Sequence, residues 1–312
     1  MSKTEHHDAL KKEIGLVGFG KMGGNMALHL LERSWSVHGF ARKPDVRRKF
    51  AHAGAHMHDS LESLVQCLPT PRVAIVMVTA GKSTDEILFG KSGIARKLSK
   101  GDIVIDSGNS FYKDSIQRAK LFQKYGVAYI DVGFSGGPAG ARSGGCLMIG
   151  GDRATFKKLE PLFKDLAKPG GYQFFEGVGA GHFAKMVHNG IEYGMMQAIA
   201  EGFAILKKSK YKFDLTRVAD IYNTGSVIES RLVEWLKNAF KMHGEDLADI
   251  SGAVGHTGEG EWTAKTGKEL GVAPKIIEES FKFRVQSAKN PSFTGKVVSA
   301  LRGQFGGHSV GK

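Results

Sequence analysis

The 312-residue chain has few cysteines and no long apolar segment. Its two cysteines, Cys67 and Cys146, lack metal-ligand spacing, which argues against a disulfide framework and favours a reducing compartment. The longest clean apolar run, VAIVMVTA from Val73 to Ala80, is too short to cross a bilayer. The opening MSKTEHHDALKK lacks the apolar core of a signal peptide. These absences predict a soluble, cytoplasmic protein with no membrane partner.

Acidic residues are scarce relative to basic ones. The 44 Lys and Arg residues against 31 Asp and Glu favour an acidic partner, such as a phosphorylated metabolite, a nucleotide or a nucleic acid. Nucleic acid is the least favoured of these, because the chain has no Lys/Arg stripe with interleaved aromatic residues. No spaced set of carboxylates or of Cys and His residues predicts a metal site.

What the first half does contain is an alternation of β-branched runs with helical patterns, from EIGLVGF to VAYIDV. This alternation is typical of βαβ units and predicts a Rossmann-like, doubly wound, mostly parallel sheet. From near Gly179 the pattern is helical, without a convincing strand. We therefore expect an α/β NADP-binding domain over residues 1–178. An all-helical substrate and dimerisation domain with a C-terminal tail should follow over residues 179–312.

The segment GFGKMG follows the first predicted strand and opens a predicted helix. Its glycines fit G-x-G-x-x-G, in which the first permits a tight turn, the second admits a pyrophosphate and the third allows close helix packing. The predicted cofactor contacts in this turn are Gly18, Phe19, Gly20, Lys21, Met22 and Gly23. Val78, Thr79, Ala80 and Asn109 complete that set.

The end of the second strand bears on which nicotinamide cofactor binds. The position that often carries an acidic residue for the ribose 2′-hydroxyl is Ala41, and Arg42 and Lys43 follow it. Cations without a carboxylate favour a 2′-phosphate and hence NADP, with NAD as the alternative. The alternative interpretation is that Arg42 and Lys43 form an ordinary solvated basic turn before Pro44.

The stretch GHFAKMVHNGIEYGMMQ places four polar residues in an apolar helical pattern. Lys185, His188, Asn189 and Glu192 stand at i, i+3, i+4 and i+7, so they project from one face. That face offers a base, an acid and two hydrogen-bonding groups. A buried structural histidine and a snorkelling lysine are the simpler interpretation.

Six motifs carry a resemblance over nearly the whole chain: GFGKMGGNMALHLL, DSGNSFYKDS, GFSGGPAGARSGGCLMIGG, KMVHNGIEYG, GEGEWT and RGQFGGH. Their order is similar to that of the decarboxylating 6-phosphogluconate dehydrogenases, in the family's short form, within the β-hydroxyacid dehydrogenase superfamily. The resemblance implies oxidation and decarboxylation of 6-phosphogluconate to ribulose 5-phosphate and CO₂ with NADP or NAD, in the pentose phosphate pathway. Two alternatives stay open: a β-hydroxyacid dehydrogenase that does not decarboxylate, and a non-catalytic NADP- or nucleic-acid-binding protein.

The resemblance also implies roles for individual residues. Lys185 would act first as base and then as acid, which requires a neutral amine that burial favours. Glu192 would protonate C1 after decarboxylation, and it separates the decarboxylase from a simple dehydrogenase. Substrate contacts are implied for Asn109, Ser135, Gly136, Gly137, His188, Asn189, Tyr193 and Arg284.

Two features complicate the phosphate site. Thr257 stands where longer relatives have a substrate-binding lysine, and Glu259 stands at a phosphate-binding threonine. A carboxylate there would repel a phosphate unless it turned away or paired with a cation.

Arg302 and His308 match family residues that reach the phosphate from a neighbouring subunit, which predicts a homodimer or homotetramer. A frayed, glycine-rich end is the alternative.

Overall fold

The computed structural model describes residues 11–307 and 310–311. Contacts between residues divide the chain after Lys185 into two compact units. This division falls within the long helix α8, Ala180–Lys208. The expected domain boundary after residue 178 therefore stays a prediction, although both divisions separate an α/β part from a helical part.

The first unit is built on one eight-stranded sheet with the strand order β3-β2-β1-β4-β5-β6-β7-β8. Its strands are β1 Glu13–Val17, β2 Ser36–Phe40, β3 His56–His58, β4 Val73–Val76, β5 Ile103–Asp106, β6 Ala128–Ser135, β7 Gly145–Gly151 and β8 Ala167–Glu176. All neighbouring strands are parallel except β6 and β7. The order reverses between β1 and β4, which is where Rossmann-type sheets bind their ligands. The predicted Rossmann-like fold is thus confirmed.

Helices cover both faces of this sheet because successive strand residues point to opposite sides. The helices are α1 Lys21–Leu31, α2 Pro44–His52, α3 Leu61–Cys67, α4 Lys82–Phe89, α5 Tyr112–Gln123, α6 Gly137–Ser143 and α7 Arg153–Leu166, with a 3₁₀ turn at Ile94–Arg96. Val73 and Ile75 belong to the core under α1, α2, α6 and α7. Ala74 and Val76 belong to the core under α3, α4 and α5.

The sequence pattern did not predict β7 and β8. β7 is GCLMIGG, in which glycines interrupt the apolar run, and β8 is AKPGGYQFFE, which is mostly exposed. Pro169 and two glycines oppose strand formation in a free chain, but an edge strand tolerates proline. These strands form because β7 pairs with β6 and β8 pairs with β7, which satisfies their backbone groups. This is a tertiary effect.

The second unit is helical, as predicted. After the C-terminal part of α8 come α9 Leu215–Tyr222, α10 Arg231–His243, α11 Glu259–Glu269, α12 Lys275–Ser287 and α13 Phe293–Gly306. Apolar side chains from α8, α9, α10 and α13 form its core. Within the described residues, no helix has both the length and the apolar character that crossing a membrane requires.

Candidate active site

The turn after β1 explains each glycine of the G-x-G-x-x-G pattern. Gly18 has φ +101°, and a Cβ there would lie 2.3 Å from the Met77 carbonyl oxygen. A Cβ on Gly23 would lie 1.9 Å from the Gly18 carbonyl oxygen, so only glycine lets α1 start this close to the turn. A Cβ on Gly20 would meet nothing within 4 Å. The first and third glycines therefore shape the turn, and the second borders open space suited to a ligand.

The side chains of this turn point in different directions. Phe19 is buried, and its ring centroid lies 4.8 Å from that of Phe50, so only its backbone is left for a ligand. Met22 packs against the core, whereas Lys21 is exposed. Gly20 is the N-cap of α1, and the first backbone N–H groups of a helix suit a phosphate because they point away from the helix and carry its positive dipole end. The turn thus fits the pyrophosphate of a dinucleotide.

Three cations surround the end of β2. Ala41 is buried, while Arg42 and Lys43 are exposed. Arg47, in the first turns of α2, donates from Nη1 to the carbonyl oxygens of Ala41 at 2.8 Å and Arg42 at 3.0 Å. Arg47 fixes the shape of the segment that presents Arg42. The motifs alone did not indicate this role, although an arginine five residues after Arg42 and on the following helix was a usable signal.

The loops after β4 and β5 lie beside the glycine turn. A Cβ on Gly18 would approach Val78 Cγ1 to 2.8 Å, and a Cβ on Gly108 would approach the Val78 carbonyl oxygen to 3.1 Å. Thr79 is exposed, and Ala80 is half-buried. Asn109 is exposed between buried neighbours. The structure thus brings together the three sequence segments predicted to contact the cofactor.

Lys185 packs on the strand that ends at Ser135. Gly133 of β6 leaves room for it, because a Cβ at this position would lie 2.3 Å from Lys185 Cβ. The Lys185 residue is only 8% exposed. After Ser135 the chain turns through Gly136 at φ +121° and Gly137 at φ +61°, which favour glycine at both positions. Lys185 is therefore buried against the strand that leads into the loop Ser135, Gly136 and Gly137.

Asp131, in the middle of β6, holds the start of α8. Its Oδ1 accepts the backbone N–H of Gly179 at 2.6 Å, and its Oδ2 accepts that of His182 at 2.8 Å. Asp131 is fully buried. These bonds satisfy two amides of the helix N-terminus and place a carboxylate where the helix dipole favours it. No local pattern indicates this role of Asp131, because Asp131 lies far along the chain from the helix that it caps.

In the second unit, α8 presents the other predicted residues. His188 Nδ1 lies 2.9 Å from Asn189 Oδ1 and 4.0 Å from Glu192 Oε2. Tyr193 is 5% exposed, and its ring centroid lies 3.3 Å from Cζ of Arg284, a cation–π contact between α8 and α12. The predicted residues Asn189, Tyr193, Arg284 and Arg302 are all buried.

The electrostatics of this cluster favour an anion. Burial, together with the charge of Arg302, lowers the pKa of Arg284 to about 10, while Tyr193 acts in the opposite direction. Burial also lowers the pKa of Arg302. Burial raises the pKa of Tyr193, which keeps its hydroxyl neutral. Since the pKa values of both arginines fall, their charges are only partly compensated, and an anionic ligand would stabilise them.

Glu259 is part of the same cluster. It is 4% exposed, at the start of α11. Its Oε1 accepts from Asn189 Nδ2 at 3.1 Å, and its Oε2 accepts from the Thr257 hydroxyl. Its charge also acts on Arg284 and Arg302 by raising their pKa values. The unfavourable carboxylate expected from the sequence is therefore offset by two cations and two hydrogen bonds.

Arg302 lies within α13 rather than in a frayed tail. Its described electrostatic partners, Tyr193, Glu259 and Glu192, belong to its own chain. Beyond the helix, the Val310 carbonyl oxygen accepts the N–H of Ser251 at 2.8 Å. His308 lies outside the described residues. Whether Arg302 or His308 serves a neighbouring subunit stays a prediction.

The part of the chain that the structure describes has no group of three or more His, Cys, Asp or Glu side chains arranged to hold a metal.

Residues 13–187 match the model of the NAD binding domain of 6-phosphogluconate dehydrogenase, and residues 181–304 match that of the 6-phosphogluconate dehydrogenase C-terminal domain. The chain belongs to the 6-phosphogluconate dehydrogenase family. It is accordingly an NAD(P)-dependent oxidoreductase whose first unit is the dinucleotide-binding domain.

Relatives of two lengths occur in the family. The chain is 42% identical to the Bacillus subtilis "Putative 6-phosphogluconate dehydrogenase YqeC" over 96% of this chain and 99% of the relative. It is 36% identical to the NAD(+)-dependent, decarboxylating 6-phosphogluconate dehydrogenase of Haloferax volcanii, with the same coverage of both chains. The Plasmodium falciparum 6-phosphogluconate dehydrogenase, solved in complex with NADP+ and with 6-phosphogluconate, gives a TM-score of 0.76 at 28% identity, over 93% of this chain and 70% of that one. The individual site residues stay predictions.

Proposed function

We propose that this chain catalyses the oxidative decarboxylation of 6-phosphogluconate to ribulose 5-phosphate and CO₂, with reduction of NADP or NAD, as a step of the pentose phosphate pathway. One observation carries the substrate proposal. Arg284 and Arg302 are buried with lowered pKa values in the second unit of a 6-phosphogluconate dehydrogenase family member. Partly compensated guanidinium groups of this kind suit the phosphate of a sugar acid.

Residues of the first unit would hold the cofactor and start the reaction. The turn Gly18–Gly23 and the loops containing Val78 and Asn109 would bind the dinucleotide, which supplies a hydride acceptor when bound. Lys185 would take the proton of the C3 hydroxyl during oxidation and return it to the carbonyl oxygen during decarboxylation. Ser135, Gly136 and Gly137 would orient the substrate through a hydroxyl and backbone N–H groups.

Residues of the second unit would complete the chemistry. Glu192 would donate a proton to C1 of the enediol formed after CO₂ leaves. His188, Asn189 and Tyr193 would orient the sugar hydroxyls and the phosphate through hydrogen bonds. Because Glu259 holds the Asn189 amide at 3.1 Å, the Asn189 side chain has a fixed orientation before substrate binds.

The test is to incubate the protein with 6-phosphogluconate and either NADP or NAD, and to follow reduced cofactor and CO₂ together. Both products should form in equal amounts. Lys185→Met should remove most turnover while dinucleotide binding persists, because methionine keeps the shape but not the amine. Lys208→Met, at an exposed position of the same helix, is the matched control. Full activity of Lys185→Met would place the base elsewhere.

Formation of reduced cofactor without CO₂ would instead indicate a β-hydroxyacid dehydrogenase that does not decarboxylate. The buried carboxylate of Glu259 beside both arginines favours a second candidate substrate, a sugar acid without the phosphate, because it reduces the positive charge that a dianion would meet. Comparison of kcat/KM for gluconate and 6-phosphogluconate separates the two substrates. We expect the phosphorylated acid to be preferred.

We also propose a homodimer or homotetramer whose sites are shared between chains. Mixing a Lys185→Met chain with an Arg302→Ala, His308→Ala chain would then restore part of the activity, since one site of a mixed dimer carries neither defect. If mixed dimers form but stay inactive, the phosphate contacts come from the same chain. The cytoplasmic location expected from the sequence stays a prediction.

A further inference from the structure

Arg118 is the largest charged group buried in the first unit that the proposed reaction does not use. It lies on α5 and is 2% exposed. Its Nε donates to Asp85 Oδ1 at 2.8 Å, and its Nη1 donates to Asp106 Oδ2 at 3.0 Å and to Ser110 Oγ at 2.8 Å. One guanidinium therefore joins two carboxylates from different segments, which a lysine could not do with the same geometry.

Asp106 connects Arg118 to the loop that carries Asn109. It is the last residue of β5 and is fully buried. Its Oδ1 accepts the backbone N–H of Gly108 at 3.0 Å, and its Oδ2 accepts the Tyr129 hydroxyl at 2.7 Å. The Ser110 hydroxyl also donates to Asp106 Oδ2 at 3.2 Å, so the residues on either side of Asn109 are tied to one carboxylate, while Asn109 itself is exposed.

Asp85 connects Arg118 to the loop after β4. It stands in the first turn of α4, directly behind the loop that contains Val78, Thr79 and Ala80. In the same turn, the buried Thr84 donates its hydroxyl to the Thr79 carbonyl oxygen at 3.0 Å. A bond to Asp85 therefore acts on the position of the whole loop. The two loops also touch, since a Cβ on Gly108 would lie 3.1 Å from the Val78 carbonyl oxygen.

The bridge that Arg118 forms between Asp85 and Asp106 contributes little to the stability of the fold. Removing a guanidinium and a carboxylate from water costs free energy that their attraction offsets only with good geometry. Moreover, the Arg118 Nη2 atom is buried without a hydrogen-bond partner among the described residues. Asp85 is 55% exposed at its side chain, so that half of the bridge contributes little to stability. The arrangement is better explained by what it positions.

We propose that Arg118 is a positioning residue that couples the loop after β4 to the loop after β5 and so sets the geometry in which both contact the dinucleotide. This inference rests on the proposed cofactor site. It assigns Arg118 no contact with substrate or cofactor. Losing the bridge should weaken dinucleotide binding while the 6-phosphogluconate KM stays nearly unchanged.

The bridge can be opened at its exposed end without creating a buried, unpaired charge. Asp85→Ala leaves the pair of Arg118 with Asp106 intact, and Glu86→Ala, an exposed carboxylate one residue further on, is the matched control. We expect Asp85→Ala to raise the dissociation constant of NADP about threefold to tenfold, the range for one partly exposed charged hydrogen bond. The control should stay within about twofold of the parent protein, as an exposed substitution does.

Arg118→Lys is the second variant of this NADP-binding test. The lysine can keep the charge beside Asp106 but cannot hold both carboxylates, so it should weaken NADP binding as much as Asp85→Ala does. The double variant Asp85→Ala, Arg118→Lys should then lose no more than either single variant, because all three lack the same bridge. A general loss of stability would not give this pattern, since dissociation constants are measured on folded protein.

Dissociation constants are measured by fluorescence titration with NADP in the absence of substrate, and KM and kcat are measured separately. Normal NADP binding by folded Asp85→Ala or Arg118→Lys protein would overturn the proposal, as would a double variant whose loss is the product of the single losses. Failure of the proposed function looks different. The parent protein would then bind NADP but form no product from 6-phosphogluconate, and the titrations would still test the bridge.

Discussion

The buried charge of Arg284 suits an anionic ligand but lowers the stability of the protein without ligand. The pKa of the Arg284 guanidinium falls from its ordinary value to about 10, and at about 1.4 kcal/mol per pKa unit this difference corresponds to about 3 kcal/mol against the charged form. Arg284→Met removes the charge and keeps an unbranched apolar chain. The lost contact with the Tyr193 ring offsets about 1–2 kcal/mol of the gain.

We therefore expect Arg284→Met to stabilise the protein without ligand by about 1–2 kcal/mol, which corresponds to a rise in Tm of about 3–6 °C. The same substitution should raise the substrate KM about tenfold to hundredfold, since one charged hydrogen bond to the phosphate is lost. Scanning calorimetry gives the first quantity and steady-state kinetics the second. Arg217→Met is the control, because the Arg217 side chain is 88% exposed and should change Tm little.

The pH dependence follows from the direction of the pKa shift. At pH 7 the guanidinium is protonated in the folded and the unfolded chain, so the penalty is constant there. As pH rises above about 10, the folded chain releases the proton before the unfolded chain does, so the penalty shrinks and the advantage of Arg284→Met shrinks with it. A lower Tm for the variant at pH 7, or an unchanged substrate KM, would refute the reasoning.

Three further predictions concern other parts of the protein. Arg42→Ala should weaken NADP far more than NAD, because only NADP offers a 2′-phosphate to the guanidinium; titrations with both cofactors test this, and equal losses would remove Arg42 from cofactor selection. Asp131→Asn should lower the free energy of unfolding by about 1–3 kcal/mol, since an amide cannot accept the N–H groups of both Gly179 and His182. Urea denaturation measures this change, and an unchanged midpoint would mean that the start of α8 is held by other contacts. Glu192→Gln should leave hydride transfer nearly intact and slow the formation of ribulose 5-phosphate; single-turnover kinetics separate these steps, and an unchanged rate of product formation would rule out Glu192 as the acid.

The sequence by itself determined the features that depend on near neighbours. The spacing of Gly18, Gly20 and Gly23 indicates the turn within one βα unit, and a Cβ on Gly23 would clash with the Gly18 carbonyl oxygen of that same unit. The clash at Gly18 itself comes from Met77, after β4. The helical spacing of Lys185, His188, Asn189 and Glu192 likewise fixes which side chains share a face. Strands β1, β2, β4 and β5 were recognisable because a strand buried on both faces is a short, almost continuous apolar run.

Only the tertiary structure decided the features that depend on distant segments. β7 forms because β6 offers it backbone partners, and β8 forms because β7 does, which no local pattern in their glycine-rich sequences could indicate. Arg118 becomes a bridge only when α5 packs between two acidic partners. The lowered pKa of Arg284 also depends on distant segments, because burial against Tyr193 and the charge of Arg302 act through space and not along the chain.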